Sequence, residues 1–153
     1  RLEGPLRGAG PTLMDVFSKK KRSEVMAAIR SRGNKSTEMR FIEIMRGLGI
    51  TGWRRRYPLK GSPDFVFRPL KVAVFIDGCF WHGCPAHCRF PKTNKKFWVE
   101  KIRRNKKRDK MVKKHLLGIG WRTIRFWEHE LKDSRSASRK LSFLIRDGKG
   151  ASR

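Results

Sequence analysis

The segment FIDGCFWHGCPAHC, residues 75–88, holds all three cysteines of the chain and two of its four histidines. Cys79, Cys84, His87 and Cys88 place soft or borderline donors close together, and Cys/His sets of this kind usually take zinc. The spacing is not that of a standard zinc finger. His129, in WEHE, could add a distant ligand that ties the loop to another element. A set of Cys79, Cys84, His87 and His129 leaves Cys88 spare. Replacing His87 with Cys88 gives three thiolates, and spacing does not decide between them. The plain alternative is surface thiols and a solvated histidine.

His82, between Trp81 and Gly83, has three readings: a further ligand, a packed ring, or a general base, because its ordinary pKa lies nearest working pH. Two carboxylates stand near it in the pattern. Asp64 enters a strand from the turn GSPDFVF, and Asp77 ends the strand KVAVFID. Neighbouring strands would bring both to one sheet edge, where they could hold Mg²⁺ against a phosphate oxygen. The alternative is a turn cap and a loop start. Glu38, early in STEMRFIEIMRGLG, is locally an ordinary first-turn acid that suits the helix dipole.

Phe80 and Trp81 sit in a Gly-rich loop, and Phe97 and Trp98 open a strongly basic stretch. Rings are usually buried in a core. In a metal-pinned loop beside basic surface they could instead enter a base stack. The chain has 39 Lys and Arg against 13 Asp and Glu, a net charge of +26 in 153 residues. Such an excess points to a polyanion, above all nucleic acid. The run from Lys95 to Lys114 would contact phosphates and give salt-dependent affinity without reading bases.

Other classes are disfavoured. No apolar stretch is long enough to span a membrane. The first residues lack the apolar run of a signal peptide. Three clustered cysteines do not form a disulfide framework and suit a reducing compartment. The expected location is cytoplasmic, associated with the nucleoid.

The elements that must position these residues follow from periodicity. Helices are expected over 23–33 and 36–49, strands over 53–59 and 71–77, a turn leading into a strand over 61–67, and a long helix from Thr93 or Asn94 to Gly118 or Gly120. A strand over 121–127 and a helix over 136–147 complete the order. This α-α-β-β-β-α-β-α order predicts an α/β fold, a mixed sheet flanked by helices. Residues 1–13 are read as a flexible extension, 14–147 as the domain and 148–153 as a flexible tail.

At KRSEVMAAIRSRGNKSTEMRF, PDFVF, VAVFIDGCFWHGCPAHC, FWVEKIRRNKKRD and GWRTIRFWEHEL, in that order, the chain resembles the very-short-patch (Vsr) mismatch repair endonucleases. The resemblance implies a fold related to type II restriction endonucleases, with a structural zinc site. It implies a Mg²⁺-dependent enzyme that nicks duplex DNA 5′ of the thymine in T:G mismatches left by 5-methylcytosine deamination. Asp64 then corresponds to the central Mg²⁺-binding aspartate and His82 to the histidine that assists the attacking water. Glu38 matches a helical glutamate bonded to that machinery. Phe80, Trp81 and Trp98 resemble the intercalating wedge, and Cys79, Cys84, His87 and His129 match the zinc ligands.

The chain also departs from the best-characterised type. That type has histidine where this chain has Asp77, so Asp77 is expected to add a second Mg²⁺ ligand. The nuclease lysine two positions on would be Cys79, which belongs to zinc. Ligand types are exchanged at Cys84, His87 and His129. The expected partner is T:G-mismatched DNA, with mismatch-repair proteins as further partners, bound by a monomer. Competing functions are a nicking or homing endonuclease that needs no mismatch, an inactive zinc-bearing DNA-binding module, and an RNA-binding protein.

Overall fold

The computed structural model of the chain describes residues 35–150 and the single position 20. The helix expected over 23–33 and the boundary at residue 14 lie outside them.

Helix α1 (Lys35–Gly47) buries Phe41, Ile42 and Met45, as its apolar periodicity predicts, and also Ile44, whereas Leu48, expected on the same face, is exposed beyond the helix end. It stops at Gly49, whose φ of 67° lies in the left-handed region. There the Gly49 N–H bonds to the Arg46 carbonyl and the Ile50 N–H to that of Met45. These two bonds form a Schellman cap, which satisfies carbonyls that the helix end would leave open.

Strands β1 (Trp53–Arg55), β2 (Phe65–Phe67) and β3 (Val72–Asp77) form an antiparallel meander. β1 is shorter than the expected 53–59, because Arg56 turns to φ 53° and breaks the extended ladder. Helix α2 (Lys95–Gly118) then crosses back, and β4 (Arg122–Trp127) adds parallel to β3. The sheet is four-stranded and mixed, in the order β1-β2-β3-β4. A short 3-10 turn (Glu128–Leu131) leads into helix α3 (Ser134–Gly150). α3 continues past the expected end at residue 147. Two terminal glycines disfavour a helix by only about 1 kcal/mol each, too little to mark a reliable stop in a sequence.

β3 is apolar on both sides because both sides are covered. Val72 and Val74 join Phe41, Met45, Phe65, Phe126 and Leu141 in one cluster, formed with α1 and α3. Ala73 and Phe75 join Val66, Val112 and Leu116 of α2 in another. Gly61 shows how closely α2 lies on the sheet, since a Cβ there would fall 2.4 Å from a Val112 methyl. No helix among the described residues is long and apolar enough to cross a membrane.

Candidate active site and metal centre

The C-terminal end of β3 gathers the polar side chains. Asp64, one residue before β2, accepts a 2.7 Å hydrogen bond from the Ile76 N–H through its side chain. It is thereby held beside Asp77, as the sequence pattern anticipated. Burial pushes the Asp64 carboxyl above its ordinary 3.8; the Ile76 N–H opposes this and the nearby charge of Asp77 reinforces it. A carboxylate so placed gains from a cation.

Asp77 is buried, and both its oxygens are occupied. Arg125 of β4 donates from Nε to Oδ2 at 2.6 Å and from Nη2 to Oδ1 at 2.8 Å. Parallel register places Arg125 level with Phe75, and its guanidinium lies 4.7 Å from the centroid of that ring. The expectation that Asp77 is a Mg²⁺ ligand therefore meets a competing cation already seated in a bidentate fork.

His82 does not bind the cysteine cluster. Its Nδ1 lies 2.6 Å from Asp109 Oδ2 and 3.8 Å from Asp77 Oδ1. Asp109, on α2, also meets Arg125 Nη2 at 3.1 Å through its other oxygen. Burial raises the Asp109 carboxyl. The hydrogen bond and charge of His82 outweigh that, with Arg125 and Arg108 adding, and hold it below the usual 3.8. Arg125 is correspondingly raised: burial works against its charge, and the bonds and charges of Asp77 and Asp109 more than offset that. Asp109 and Arg125 were absent from the sequence reading. The available signal for Asp109 was an isolated acid inside NKKRDKMVKK; Arg125 looked like one more exposed strand cation.

Glu38 is buried in the first turn of α1 and pairs with Arg55 of β1. It was expected to fix His82 or a metal-bound water from its helix; the partner its carboxylate shows here is Arg55, while His82 is held by Asp109.

The loop itself is wound tightly. Successive backbone bonds run from His82 to Gly78, from Gly83 to Phe80, from Cys84 to Cys79 and from Cys88 to Cys84. Asn105 of α2 donates to the Trp81 carbonyl at 2.9 Å. Gly83, at φ 65°, sits so close that a Cβ would lie 2.6 Å from Lys106 Cε and 2.8 Å from Ile102 Cγ2.

Beyond it, Cys79, Cys84, His87 and His129 each bring a ligand atom within 4.8 Å of all the others. The His129 Nδ1 lies 3.1 Å from Cys79 Sγ and 3.7 Å from Cys84 Sγ, and His87 Nδ1 lies 3.8 Å from Cys84 Sγ. A tetrahedral Zn²⁺ spaces such ligands by roughly 3.3–3.8 Å, so this donor set fits one ion. Burial pushes the Cys79 thiol up, and Cys84 and Glu128 add to it, while a bond from the His129 backbone opposes. Cys88 turns away, with its Sγ 3.7 Å from the Phe80 carbonyl. Of the two sets left open by spacing, the one that the structure gathers contains His87 and not Cys88. The 3-10 turn that carries His129 is fixed by Glu130, which accepts from the Trp127 N–H at 2.7 Å and pairs with Lys140 of α3 at 2.7 Å.

Phe80, Trp81 and Trp98 form a mutual edge-to-face triangle, with centroids 5.2, 5.3 and 5.9 Å apart. All three rings are half-buried and lie outside both core clusters. Phe97 extends the group at 5.2 Å from Trp98, and Lys101 Nζ lies over Trp81, Phe97 and Trp98.

The family described as DNA mismatch endonuclease Vsr matches residues 14–89. A type II nicking enzyme of Neisseria meningitidis serogroup C, V.NmeDIP, is 36% identical over 143 residues, covering 92% of this chain and 96% of the relative. The DNA mismatch endonuclease Vsr of Escherichia coli is 36% identical over 123 residues, 78% of this chain and 77% of its own length. The chain belongs to the Vsr family. The type II nicking enzyme V.NaeI of Lentzea aerocolonigenes is 55% identical over 80 residues, 52% of this chain; that match spans 48% of V.NaeI. The Vsr match includes Asp64, His82 and the loop cysteines, and ends before Asp109, Arg125 and His129.

Proposed function

We propose that this chain, a DNA endonuclease of the Vsr family, uses Mg²⁺ to nick one strand of duplex DNA 5′ of the thymine in a T:G mismatch. The observation that carries the reading is the juxtaposition of Asp64 and a His82–Asp109 pair with the rings of Phe80 and Trp81, adjacent in chain to His82. One short loop carries both a base for water and a wedge for a base stack. The mixed sheet, with its carboxylates at the end of β3, supports a relationship to the type II restriction enzyme fold.

Asp64 would hold Mg²⁺, which when bound supplies Lewis-acid stabilisation of the charge growing on the scissile phosphate. His82 works through Nε2, because Nδ1 is engaged by Asp109. With Nδ1–H donating to the carboxylate, Nε2 keeps its lone pair and can take a proton from the attacking water. Asp109 orients the ring and stabilises the imidazolium that forms. The products are a 3′-hydroxyl and a 5′-phosphate. Glu38, buried in the first turn of α1 and paired with Arg55, would support the site from its helix by fixing a metal-bound water.

Phe80, Trp81 and Trp98 would enter the helix beside the mismatch. A T:G pair stacks less well than a Watson–Crick pair, and unstacking a step costs about a few kcal/mol, offset by ring stacking. The basic face of α2 supplies phosphate contacts. Zn²⁺ on Cys79, Cys84, His87 and His129 is structural, because four protein ligands leave no open position. The protein is proposed to act as a monomer on nucleoid DNA alongside mismatch-repair proteins.

A second reading is nicking of an ordinary specific site, favoured by relatives whose names are type II nicking enzymes. A strand-resolved nicking assay on mismatched and matched duplexes, with Mg²⁺ and with EDTA, tests both. Cleavage confined to T:G and lost in EDTA is expected. Equal cleavage of T:G and T:A parents would overturn mismatch specificity, and no cleavage of any duplex would leave a DNA-binding module.

A further inference from the structure

Three carboxylates converge near His82, and one cation lies among them. Arg125 spends its fork on Asp77 and extends Nη2 to Asp109 at 3.1 Å. Asp109 in turn holds His82 at 2.6 Å. This makes a continuous chain from β3 through β4 and α2 to the loop imidazole. Both carboxylates could otherwise approach Nδ1, since Asp77 Oδ1 is 3.8 Å away.

We propose that Arg125 is a positioning residue of the nicking site, clamping Asp77 to Asp109 so that His82 is fixed with Nδ1 donating to Asp109 and Nε2 facing the water. The inference rests on the nicking reading and deepens it. Asp77 then acts through Arg125, and Mg²⁺ is left to Asp64. Geometry favours this division. A planar guanidinium matches a carboxylate bidentately, and the Phe75 face 4.7 Å below holds it flat. Neither role can pass to lysine without loss, because an ammonium lacks the fork. Without the clamp, Asp77 and Asp109 repel each other, and the ring is free to swing between them.

The test has a spectroscopic arm and a kinetic arm. Nitrogen-15 spectra of histidine-labelled protein report the tautomer of each ring, and His82→Gln assigns the signal. Wild type should show His82 as the Nδ1–H tautomer. Arg125→Gln should shift it toward a mixture and slow single-turnover nicking about 10- to 100-fold, the usual loss when a partner that orients a reacting group is removed. The Mg²⁺ requirement should not change. Arg125→Lys should recover part of the rate. Asp77→Asn combined with Arg125→Gln should be no slower than Arg125→Gln alone, because the two act as one unit.

Unchanged tautomer and rate in Arg125→Gln would overturn the proposal. So would Asp77→Asn raising the Mg²⁺ requirement, with losses that add to those of Arg125→Gln; Asp77 would then be a metal ligand. If Arg125→Gln fails to fold by circular dichroism, Arg125→Lys and Asp77→Asn carry the same measurements. Wild-type protein that nicks no duplex would sink the nicking reading, while a tautomer shift in the variants would still support the clamp.

Discussion

Replacing Asp109 with alanine removes the charge-assisted 2.6 Å contact to His82 Nδ1, the bond that bears on the base, together with the 3.1 Å contact to Arg125, and leaves the imidazole without its main anchor. Bonds of this class contribute about 1.5–3 kcal/mol. At about 1.36 kcal/mol per factor of ten, the nicking rate should fall about 10- to 150-fold. Asp109→Asn keeps an acceptor for Nδ1–H but loses the charge, so its loss should be smaller. The assay is single-turnover nicking of a T:G duplex at saturating protein, with DNA affinity measured in parallel. The loss should fall on the rate and not on binding, because both Asp109 oxygens are engaged within the protein, by His82 and Arg125. The same residue gives a stability signature. Its folded pKa is below 3.8, so its ionised form stabilises the fold fully above that value, and the contribution is lost as pH falls through the lowered value. Asp109→Asn should therefore lower Tm at about pH 5, with the difference from wild type shrinking in stronger acid. Wild-type nicking by folded Asp109→Ala would refute the reasoning outright.

Asp64→Ala should abolish nicking, since losing several kcal/mol of charge stabilisation corresponds to about a thousandfold or more; measurable turnover that still needs Mg²⁺ would assign the metal elsewhere. Elemental analysis should find one zinc per folded chain. Chelation, or His129→Ala, should lower Tm and weaken DNA binding together, because the ion pins the loop that bears Phe80 and Trp81; protein purified without chelator and free of zinc would contradict this. Trp81→Ala should fold normally and lose discrimination between T:G and T:A duplexes, and unchanged discrimination would remove the wedge. Gly83→Ala should be destabilised by about 1–2 kcal/mol from the left-handed backbone alone, and by more from the Ile102 methyl 2.8 Å from the new Cβ; an unchanged denaturation midpoint would contradict the close docking on α2.

Among the described residues, the order of elements, the end of β3 and the metal cluster were legible because each rests on local chemistry. The continuous apolar run in KVAVFID, the Gly-bounded helix face of Phe41 and Met45, and the packing of Cys and His within one loop can all be read from neighbours in sequence. Asp64 was legible because a proline turn followed by an apolar strand places it at a sheet end. What was not legible depends on the crossover. Asp109 meets His82 across 27 residues and Arg125 meets Asp77 across 48. The parallel register of β3 and β4 brings Arg125 to Asp77, and the packing of the loop on α2 brings His82 to Asp109. Strand β1 was over-extended because a left-handed Arg56 leaves no mark in hydropathy.

The parallel pairing of β4 with β3 also sets a timetable. Asp64, His82 and the loop cysteines are made early. Arg125 and His129, which complete the clamp and the metal set, are carried on and just after the last strand. Synthesis proceeds at about 5–20 residues per second, so His82 can meet Asp109 once α2 has emerged, while Arg125 and His129 arrive only with β4 and the turn after it. A chain that stops before β4 keeps the basic helix and lacks both of those partners.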